Sequence, residues 1–354
     1  MRPDISVIMS VYNGESYLEE AIESVRSQTF KNWELVVIND CSTDSTPIIL
    51  SSFAEKDERI KVHTNEVNLR LPKSLNKAIS LCEGKYIARM DADDICLPER
   101  LEKQFRFMEE NPYVDLSSCR FMTVKNGVYM SGGAGGRCDD SALKAMLLVS
   151  NPILHPGVIA KSEVMKEMLY DTSLTCTEDL EMWTRMIMNN KTLKILPECL
   201  MIYRLHDKQI TSTTLERQHT EVLKIQQKYY GKLLCEMDKD MSEFYISGIY
   251  FKENADIEKF LKYAKWLRSK TASNFDRNAV NYALFEVLAE YKRCRVSKGD
   301  IIKAMLKFPP AFLAKEMLRR KKEAKNDIEK CLKVARMLSL RQTAGNSEYP
   351  IFEK

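Results

Sequence analysis

Lys85-Tyr86-Ile87-Ala88-Arg89-Met90-Asp91-Ala92-Asp93-Asp94 is a short, mostly apolar run that ends in three carboxylates within four residues. The run reads as a strand. Pro98-Glu99-Arg100-Leu101 reads as a helix start, with proline at the first helical position. The acidic cluster between them therefore sits at the carboxyl end of a strand, where ligands bind in open α/β sheets. Carboxylates this close repel one another unless a cation or a solvated turn relieves them. A hard cation such as Mg²⁺ or Mn²⁺ takes one or two carboxylates together with substrate phosphate oxygens. A lone Asp-x-Asp is more often a solvated turn before a helix, so the surrounding chain decides.

Upstream, strands alternate with helices. Ile5 to Val11 is β-branched and apolar, and Glu15 to Gln28 carries Leu18, Ile22 and Val25 at helical spacing. Trp33 to Ile38 is a second strand ending in Asn39-Asp40. Thr43-Asp44-Ser45-Thr46-Pro47 then opens a helix with side chains suited to an N-cap. Ile60 to His63 reads as a third strand, and Ser74 to Cys82 as a helix behind Pro72. This alternation implies an α/β fold with a parallel, doubly wound sheet. No Gly-x-Gly-x-x-Gly follows the first strand, which argues against a dinucleotide-binding oxidoreductase.

Downstream, Leu101 to Glu110 reads as a helix, Val114 to Val124 as a strand, and Asp139 to Val149 as a helix. Gly132-Gly133-Ala134-Gly135-Gly136 is a loop, either a lid over substrate or a plain surface loop. His155-Pro156-Gly157 turns into a strand reaching Ala160. Thr177-Glu178-Asp179 starts a helix, and Thr177 and Asp179 both suit a cap there. Leu193 to Leu196 and Cys199 to Arg204 read as two strands. Beyond Thr213 the pattern is helical, with Leu223, Tyr229, Leu233, Phe260 and Leu267 as inner-face residues.

The 354 residues imply two domains, or one domain with a helical extension. No apolar run is long enough to cross a bilayer, and no export signal is expected. Ten cysteines without a Cys-x-x-Cys pair read as reduced core residues in a cytoplasmic protein. The net charge of +4 is uneven. Residues 291–341 hold 16 Lys or Arg against 5 Asp or Glu, and residues 1–290 hold 37 against 43. The basic stretch interleaves Lys303, Lys307, Lys315, Arg319, Arg320, Lys321 and Lys322 with Ile301 to Leu306, Phe308, Phe312, Leu313, Met317 and Leu318. Two readings stand: an interfacial helix against the inner face of the cytoplasmic membrane, or a solvated basic extension. Nucleic acid is disfavoured, because stacking aromatics are not interleaved.

Read together, these segments resemble family 2 inverting glycosyltransferases of the GT-A, nucleotide-diphospho-sugar transferase fold. The family's parts fall in order over about residues 3–210. They are Ser6 to Asn13, Gln28 to Leu35, Asn39-Asp40-Cys41-Ser42-Thr43-Asp44, Ser74-Leu75-Asn76-Lys77-Ala78, Asp91-Ala92-Asp93-Asp94, Glu178-Asp179 and Tyr203-Arg204-Leu205-His206. The resemblance implies a Rossmann-like, mostly parallel sheet flanked by helices. The implied organisation is a catalytic domain over 1–212 and a helical C-terminal region over 213–354.

The resemblance also implies residue roles. Ser10, Tyr12, Asn13 and Asp40 bind the nucleotide sugar, with Tyr12 stacking on the base and Asp40 accepting from its imide. Asn76 sits near the nucleotide. Asp91 contacts the ribose or metal waters, Asp93 holds the divalent metal (Mn²⁺ or Mg²⁺), and His206 is a further metal ligand or a diphosphate contact. Asp179 is the catalytic base with Glu178 beside it. His155 either borders the acceptor or only ends a turn. Cys41 and Arg70 stand where the family usually has glycine.

Glycosyl transfer needs help at both ends. The leaving diphosphate gathers negative charge that a divalent ion offsets. The acceptor hydroxyl must lose its proton to a placed carboxylate, and one base with in-line attack inverts the anomeric centre. The Ser74-Leu75-Asn76 and His155-Pro156 segments resemble the family's members that act on lipid-linked acceptors. That resemblance implies transfer of a hexose or N-acetylhexosamine, with a UDP-sugar as the expected donor, to a lipid-linked glycan acceptor in capsule, O-antigen or exopolysaccharide synthesis. Two rivals remain. One is a catalytically silent nucleotide-sugar-binding partner. The other is a sugar nucleotidyltransferase, for which Tyr12-Asn13-Gly14-Glu15 is a poor triphosphate loop.

Overall fold

Ile5, Val7 and Met9 of the first strand are buried on one face of a sheet, and Ile8 is buried on the other. The second strand does the same, with Leu35 and Val37 on one side and Val36 and Ile38 on the other. Strands buried on both faces need helices on both sides, which is why these runs are continuously apolar. The computed structural model describes residues 2–125, 128–131, 140–206, 215–234, 237, 239–250, 255–271, 275–291 and 296–319.

The strands are β1 (Ile5–Val11), β2 (Trp33–Asn39), β3 (Ile60–Thr64), β4 (Tyr86–Arg89), β5 (Ile95–Cys96), β6 (Leu116–Lys125), β7 (Val128–Ser131), β8 (Ile159–Lys161) and β9 (Leu193–Arg204). Among the described residues they form one sheet in the order β3-β2-β1-β4-β8-β6-β9-β5, with β7 hairpinned onto β6. The first half is parallel as expected. The second half is mixed, because β8 runs antiparallel to both β4 and β6, and β5 runs antiparallel to β9.

One face packs against α1 (Leu18–Arg26), α2 (Thr46–Lys56) and α4 (Arg100–Glu110). The other face packs against α3 (Leu71–Leu81), α6 (Ser162–Met168) and α7 (Glu178–Met188). Between these sets, α5 (Asp140–Met146) turns its buried Ala142 and Ala145 toward the C-terminal helices. Those are α8 (Leu215–Leu234), α9 (Lys239–Phe244), α10 (Ile257–Lys270), α11 (Arg277–Glu290), α12 (Lys298–Met305) and α13 (310–319). Asp256, Asp276 and Ser297 cap α10, α11 and α12 by accepting the backbone N–H three residues on. Residues from α11, including Ala283, Leu284, Phe285 and Leu288, fill the centre of this helical core.

Several expectations shift. Helix α4 begins at Arg100 rather than at Pro98, because Ile95 and Cys96 first pair with β9. The two strands expected at 193–196 and 199–204 are one strand. Its register slips opposite Cys119 and Arg120, and Pro197, which lacks an N–H, lies in that slip. His155–Gly157 is a single 3₁₀ turn, and the strand starts only at Ile159. On α8 the inward residues are Val222 and Ile225 rather than Leu223, while Phe260 and Leu267 of α10 are buried as expected. The side chain of Leu233, the glycine-rich loop at 132–136 and the basic residues from Arg320 onward lie outside the described residues.

Candidate active site

The turns at the carboxyl ends of β1 and β2 lock together. Thr43 N donates to Asn13 Oδ1 at 2.9 Å, Asn13 N to Ser42 Oγ at 3.0 Å, and Gly14 N to Thr46 Oγ1 at 2.9 Å. Asn13 thus spends its side-chain oxygen on the scaffold while lining the cleft. Asp40 Oδ1 accepts from Asn65 Nδ2 and Leu69 N, both at 2.8 Å, and holds the segment leading into α3. Ser10, Tyr12 and Asp40 line the same cleft, and Tyr12 is 53% exposed. An aromatic ring left in water at a cleft mouth is open to stacking.

Two turn residues carry backbone strain. Cys41 has φ 64°, a left-handed conformation that glycine adopts readily. Arg70 has φ 67° and ψ 166°, a region essentially reserved for glycine, and such a residue costs about 1–3 kcal/mol. Both are the positions where the resemblance expects glycine. Arg70 stands at the cleft wall.

Asp91, Asp93 and Asp94 place carboxylate oxygens within 4.8 Å of one another. Arg89, buried in β4, clamps Asp91 in a bidentate pair, with Nη1 donating to Oδ2 at 2.6 Å. Burial pushes the Asp91 carboxyl up to about 6; Arg89 opposes this, and Asp93 and Asp179 add to it. Asp94 is completely buried. Its Oδ1 accepts from Arg204 N at 3.0 Å, and its Oδ2 has no partner among the described residues. Burial, then Asp91 and Asp93, hold it well above the usual carboxylate range. His206 Nε2 lies 3.0 Å from Asp93 Oδ2, and its ring stacks on Tyr17 at 5.0 Å. Arg204 donates to the Asp93 carbonyl at 3.1 Å and lies over the same tyrosine ring.

Behind this turn sits Arg100, a fully buried guanidinium that donates to the carbonyls of Arg89 (2.7 Å) and Val158 (3.2 Å). It ties the end of β4 to the segment entering β8. A buried charge needs such a full set of acceptors.

The opposite wall is the start of α7. Glu221 on α8 accepts from Thr175 Oγ1 (2.9 Å), Thr177 Oγ1 (2.8 Å) and Cys176 N (3.3 Å), which fixes the segment entering the helix. Neither Thr177 nor Asp179 caps α7 as a conventional N-cap; Thr177 occupies the cap position, with its hydroxyl on Glu221 instead. Asp179 Oδ2 accepts from Asn151 Nδ2 at 2.7 Å, and Oδ1 accepts from Leu180 N at 2.7 Å. Burial nevertheless raises its carboxyl. Glu178 is buried and is pushed up to about 8 by burial, with Asp179 adding.

His155 is also buried, and burial followed by Arg89 holds its imidazole well below the usual range. Its Nε2 pairs with Tyr170 Oη at 2.7 Å, while its Nδ1 is 3.8 Å from Glu178 Oε1, so a neutral ring faces the carboxyl rather than an imidazolium. Asn76 is placed away from the cleft. Its amide donates to Tyr170 O at 2.9 Å and accepts from Tyr170 N at 2.8 Å, so both ends of the side chain brace Tyr170 rather than a nucleotide.

Tyr12, Asp40, Asp91, Asp93, His155, Glu178, Asp179 and His206 line one cleft of about 1010 Å³. The C-terminal helices close its far side through Tyr250, Tyr282, Glu286 and Glu290. Nothing local in the sequence signals that contribution, nor the roles of Asn151 and Tyr170, whose partners are distant in the chain. Arg89 had a signal in an arginine two residues from an acidic cluster.

A family model described as glycosyl transferase family 2 matches residues 6–154. Over 220 residues the chain is 34% identical to an uncharacterized glycosyltransferase of Methanocaldococcus jannaschii, covering 61% of this chain and 76% of that protein. It is 31% identical over 217 residues to the O-antigen biosynthesis glycosyltransferase WbnJ of Escherichia coli, covering 60% and 83%. A solved structure of S. aureus TarS in complex with UDP-GlcNAc aligns with a TM-score of 0.54 at 20% identity, over 85% of this chain and 88% of that one. A mannosyltransferase from Pyrobaculum calidifontis in complex with GDP-Man and Mn²⁺ aligns at 0.52 with 17% identity, over 87% of each chain. The structural matches show a shared fold. The length and identity of the sequence matches carry the further conclusion that this chain belongs to glycosyl transferase family 2 and is a glycosyltransferase.

Proposed function

We propose that the protein transfers a hexosyl or N-acetylhexosaminyl group from a UDP-sugar to a hydroxyl of a glycan acceptor, inverting the anomeric centre. One observation carries this reading. The acidic turn after β4 and the carboxyl pair at the start of α7 line one cleft, together with Ser10, Tyr12 and Asp40. Tyr12 would stack on the base, with Ser10 and Asp40 beside it. Asp179, held by Asn151, would take the proton of the acceptor hydroxyl.

The donor set fits a hard divalent cation. It is all carboxylate oxygen, with a buried Asp94 oxygen lacking a partner among the described residues and an Asp91 carboxyl raised by burial, with Asp93 adding. Asp93 and Asp91 would hold the ion, with His206 on Asp93 as a further ligand or a brace. Such an ion, when bound, offsets the charge that develops on the departing diphosphate. Calorimetry with UDP is expected to show binding that strengthens when Mn²⁺ is added. Failure to bind with or without metal would overturn the donor-site assignment.

The acceptor is proposed to be lipid-linked, in surface-polysaccharide synthesis, a setting that the name of the O-antigen relative supports. No helix among the described residues is long and apolar enough to cross a membrane. Ile302 and Leu306 stand exposed beside exposed Lys303 and Lys307, and Met317 and Leu318 are exposed on α13 near Lys315. Each lysine close to an anionic leaflet contributes about 1 kcal/mol. Full-length protein is expected to pellet with phosphatidylglycerol vesicles, and the triple variant Lys303→Glu, Lys307→Glu, Lys315→Glu is expected to pellet less. Equal pelleting would end the membrane proposal. Truncation is the wrong tool, because Phe308 and Phe312 belong to the helical core.

A further inference from the structure

Two adjacent carboxyls, Glu178 and Asp179, begin α7, and the transferase reading uses only one of them as a base. We propose that Glu178 is kept as a neutral carboxylic acid, so that the pair's single charge rests on Asp179, and that Glu178 Oε2–H donates a hydrogen bond to a hydroxyl or ring oxygen of the acceptor sugar. This rests on the transferase reading above.

The hydrogen bonds divide the pair. Asp179 accepts on both oxygens, from Asn151 Nδ2 and from Leu180 N. The asparagine amide cannot be turned around without loss, since its Oδ1 already accepts from Ile153 N at 3.3 Å. Asp179 is therefore surrounded by groups that can only donate, and an ionised carboxylate is what they suit. Among the described residues no other residue donates a hydrogen bond to the Glu178 side chain, and only its own backbone N–H, as a donor, favours the ionised form there. Its Oε2 is buried at the cleft wall without a partner among the described residues. A charged Oε2 left so would forfeit its hydration without a hydrogen bond in return, whereas an acid with a hydrogen to offer suits an acceptor-side wall.

The groups packed against Glu178 reinforce the assignment. Arg89 on β4 is the cation that acts on it, and that guanidinium is already bonded to Asp91. Asp91 and Asp179 both disfavour a second negative charge. His155 is neutral, and its ring is fixed by the 2.7 Å contact to Tyr170 and by Trp183 edge-on at 5.7 Å. Asn76 in turn fixes the backbone of Tyr170. This chain of contacts holds His155 Nδ1 at 3.8 Å from Glu178 Oε1, too far for a hydrogen bond that would favour ionisation. Glu221, the nearby acid on α8, is bonded to the Thr175–Thr177 segment. Asn76, Tyr170 and His155 are thus positioning residues for the Glu178 carboxyl.

The test is a titration of full-length protein carrying ¹³C-labelled glutamate carboxyls. One resonance, absent from Glu178→Gln, is expected to titrate near pH 8. In Asp179→Asn its midpoint is expected to fall by about one pH unit or more, since a neighbouring charge is gone. A Glu178 resonance titrating in the ordinary range, at about pH 4.3, would overturn the inference. So would a midpoint unmoved by Asp179→Asn. Metal-dependent nucleotide release supplies a second readout. In wild type it is expected to fall on the alkaline side as Glu178 loses its proton. Glu178→Gln, which keeps an N–H donor, is expected to lose about tenfold and the alkaline fall with it; Glu178→Ala loses more. An alkaline fall that persists in Glu178→Gln contradicts the inference. Absence of donor turnover in wild type would instead strike the transferase reading, which the carboxyl titration does not require.

Discussion

Asp179→Asn is expected to lower nucleotide release in the presence of acceptor by about 10²–10⁴-fold, the span typical of a removed general base. The substitution preserves side-chain volume and keeps an oxygen able to accept from Leu180 N, which donates to Oδ1 at 2.7 Å, at the cost of the bond from Asn151 Nδ2. It removes the group able to take a proton, so α7 should keep its place while the chemistry stops. UDP affinity is expected to hold, because Ser10, Tyr12 and Asp40 lie on the other side of the sheet's crevice, at the ends of β1 and β2. A steady-state comparison beside UDP calorimetry separates the two effects. Turnover close to wild type would remove Asp179 from the role of base and return attention to its neighbour Glu178.

Asp93→Ala is expected to act differently, through loss of the response to metal. Its carboxylate is the one that meets His206, and it stands between Asp91, which is paired with Arg89, and Asp94, which is buried against Arg204 N. Asp93 is thus the member of the triad that is neither fully buried, as Asp94 is, nor clamped by an arginine side chain, as Asp91 is. Losing electrostatic stabilisation of a leaving group costs about 10²–10³-fold in other enzymes, and a similar loss is expected here. The distinguishing readout is the Mn²⁺ titration. Wild type should saturate, and Asp93→Ala should show little response at the same concentrations. A variant with undiminished Mn²⁺ activation would place the metal elsewhere.

Much of the parallel half of the sheet was legible. Runs such as Ile5 to Val11 and Trp33 to Ile38 are apolar at every step, the pattern of a strand covered on both faces. The acidic turn was legible for a similar reason, since three aspartates in four residues have few bland explanations once a strand precedes them. The antiparallel half was not. A hydrophobic run carries no sign of its direction, and β5 is only two residues long. Its pairing with β9 is decided by contacts over a hundred residues away.

The site divides along the same line. Asp91, Asp93, Asp179 and His206 were visible as motif positions, and the structure brings them to one cleft. Asn76 was visible too, yet its amide went to the backbone of Tyr170, and residue type alone does not say which partner an amide will find. Arg100 reads as an ordinary charge in the first turn of a helix, and its complete burial depends on carbonyls supplied by β4 and by the residue before β8. Cys41 and Arg70 went the other way. The sequence marked them as non-glycine residues at glycine positions, and both indeed take positive φ.

The central claim is that this cleft turns over a nucleotide sugar with the help of a divalent ion. Purified full-length protein would be incubated with Mn²⁺ and a panel of UDP-, GDP- and dTDP-sugars, with released nucleotide as the readout. Release from one UDP-sugar, abolished by chelator and by Asp93→Ala, is the predicted result. Release that ignores chelator and survives Asp93→Ala, or preference for a GDP- or dTDP-sugar, would contradict the account as stated.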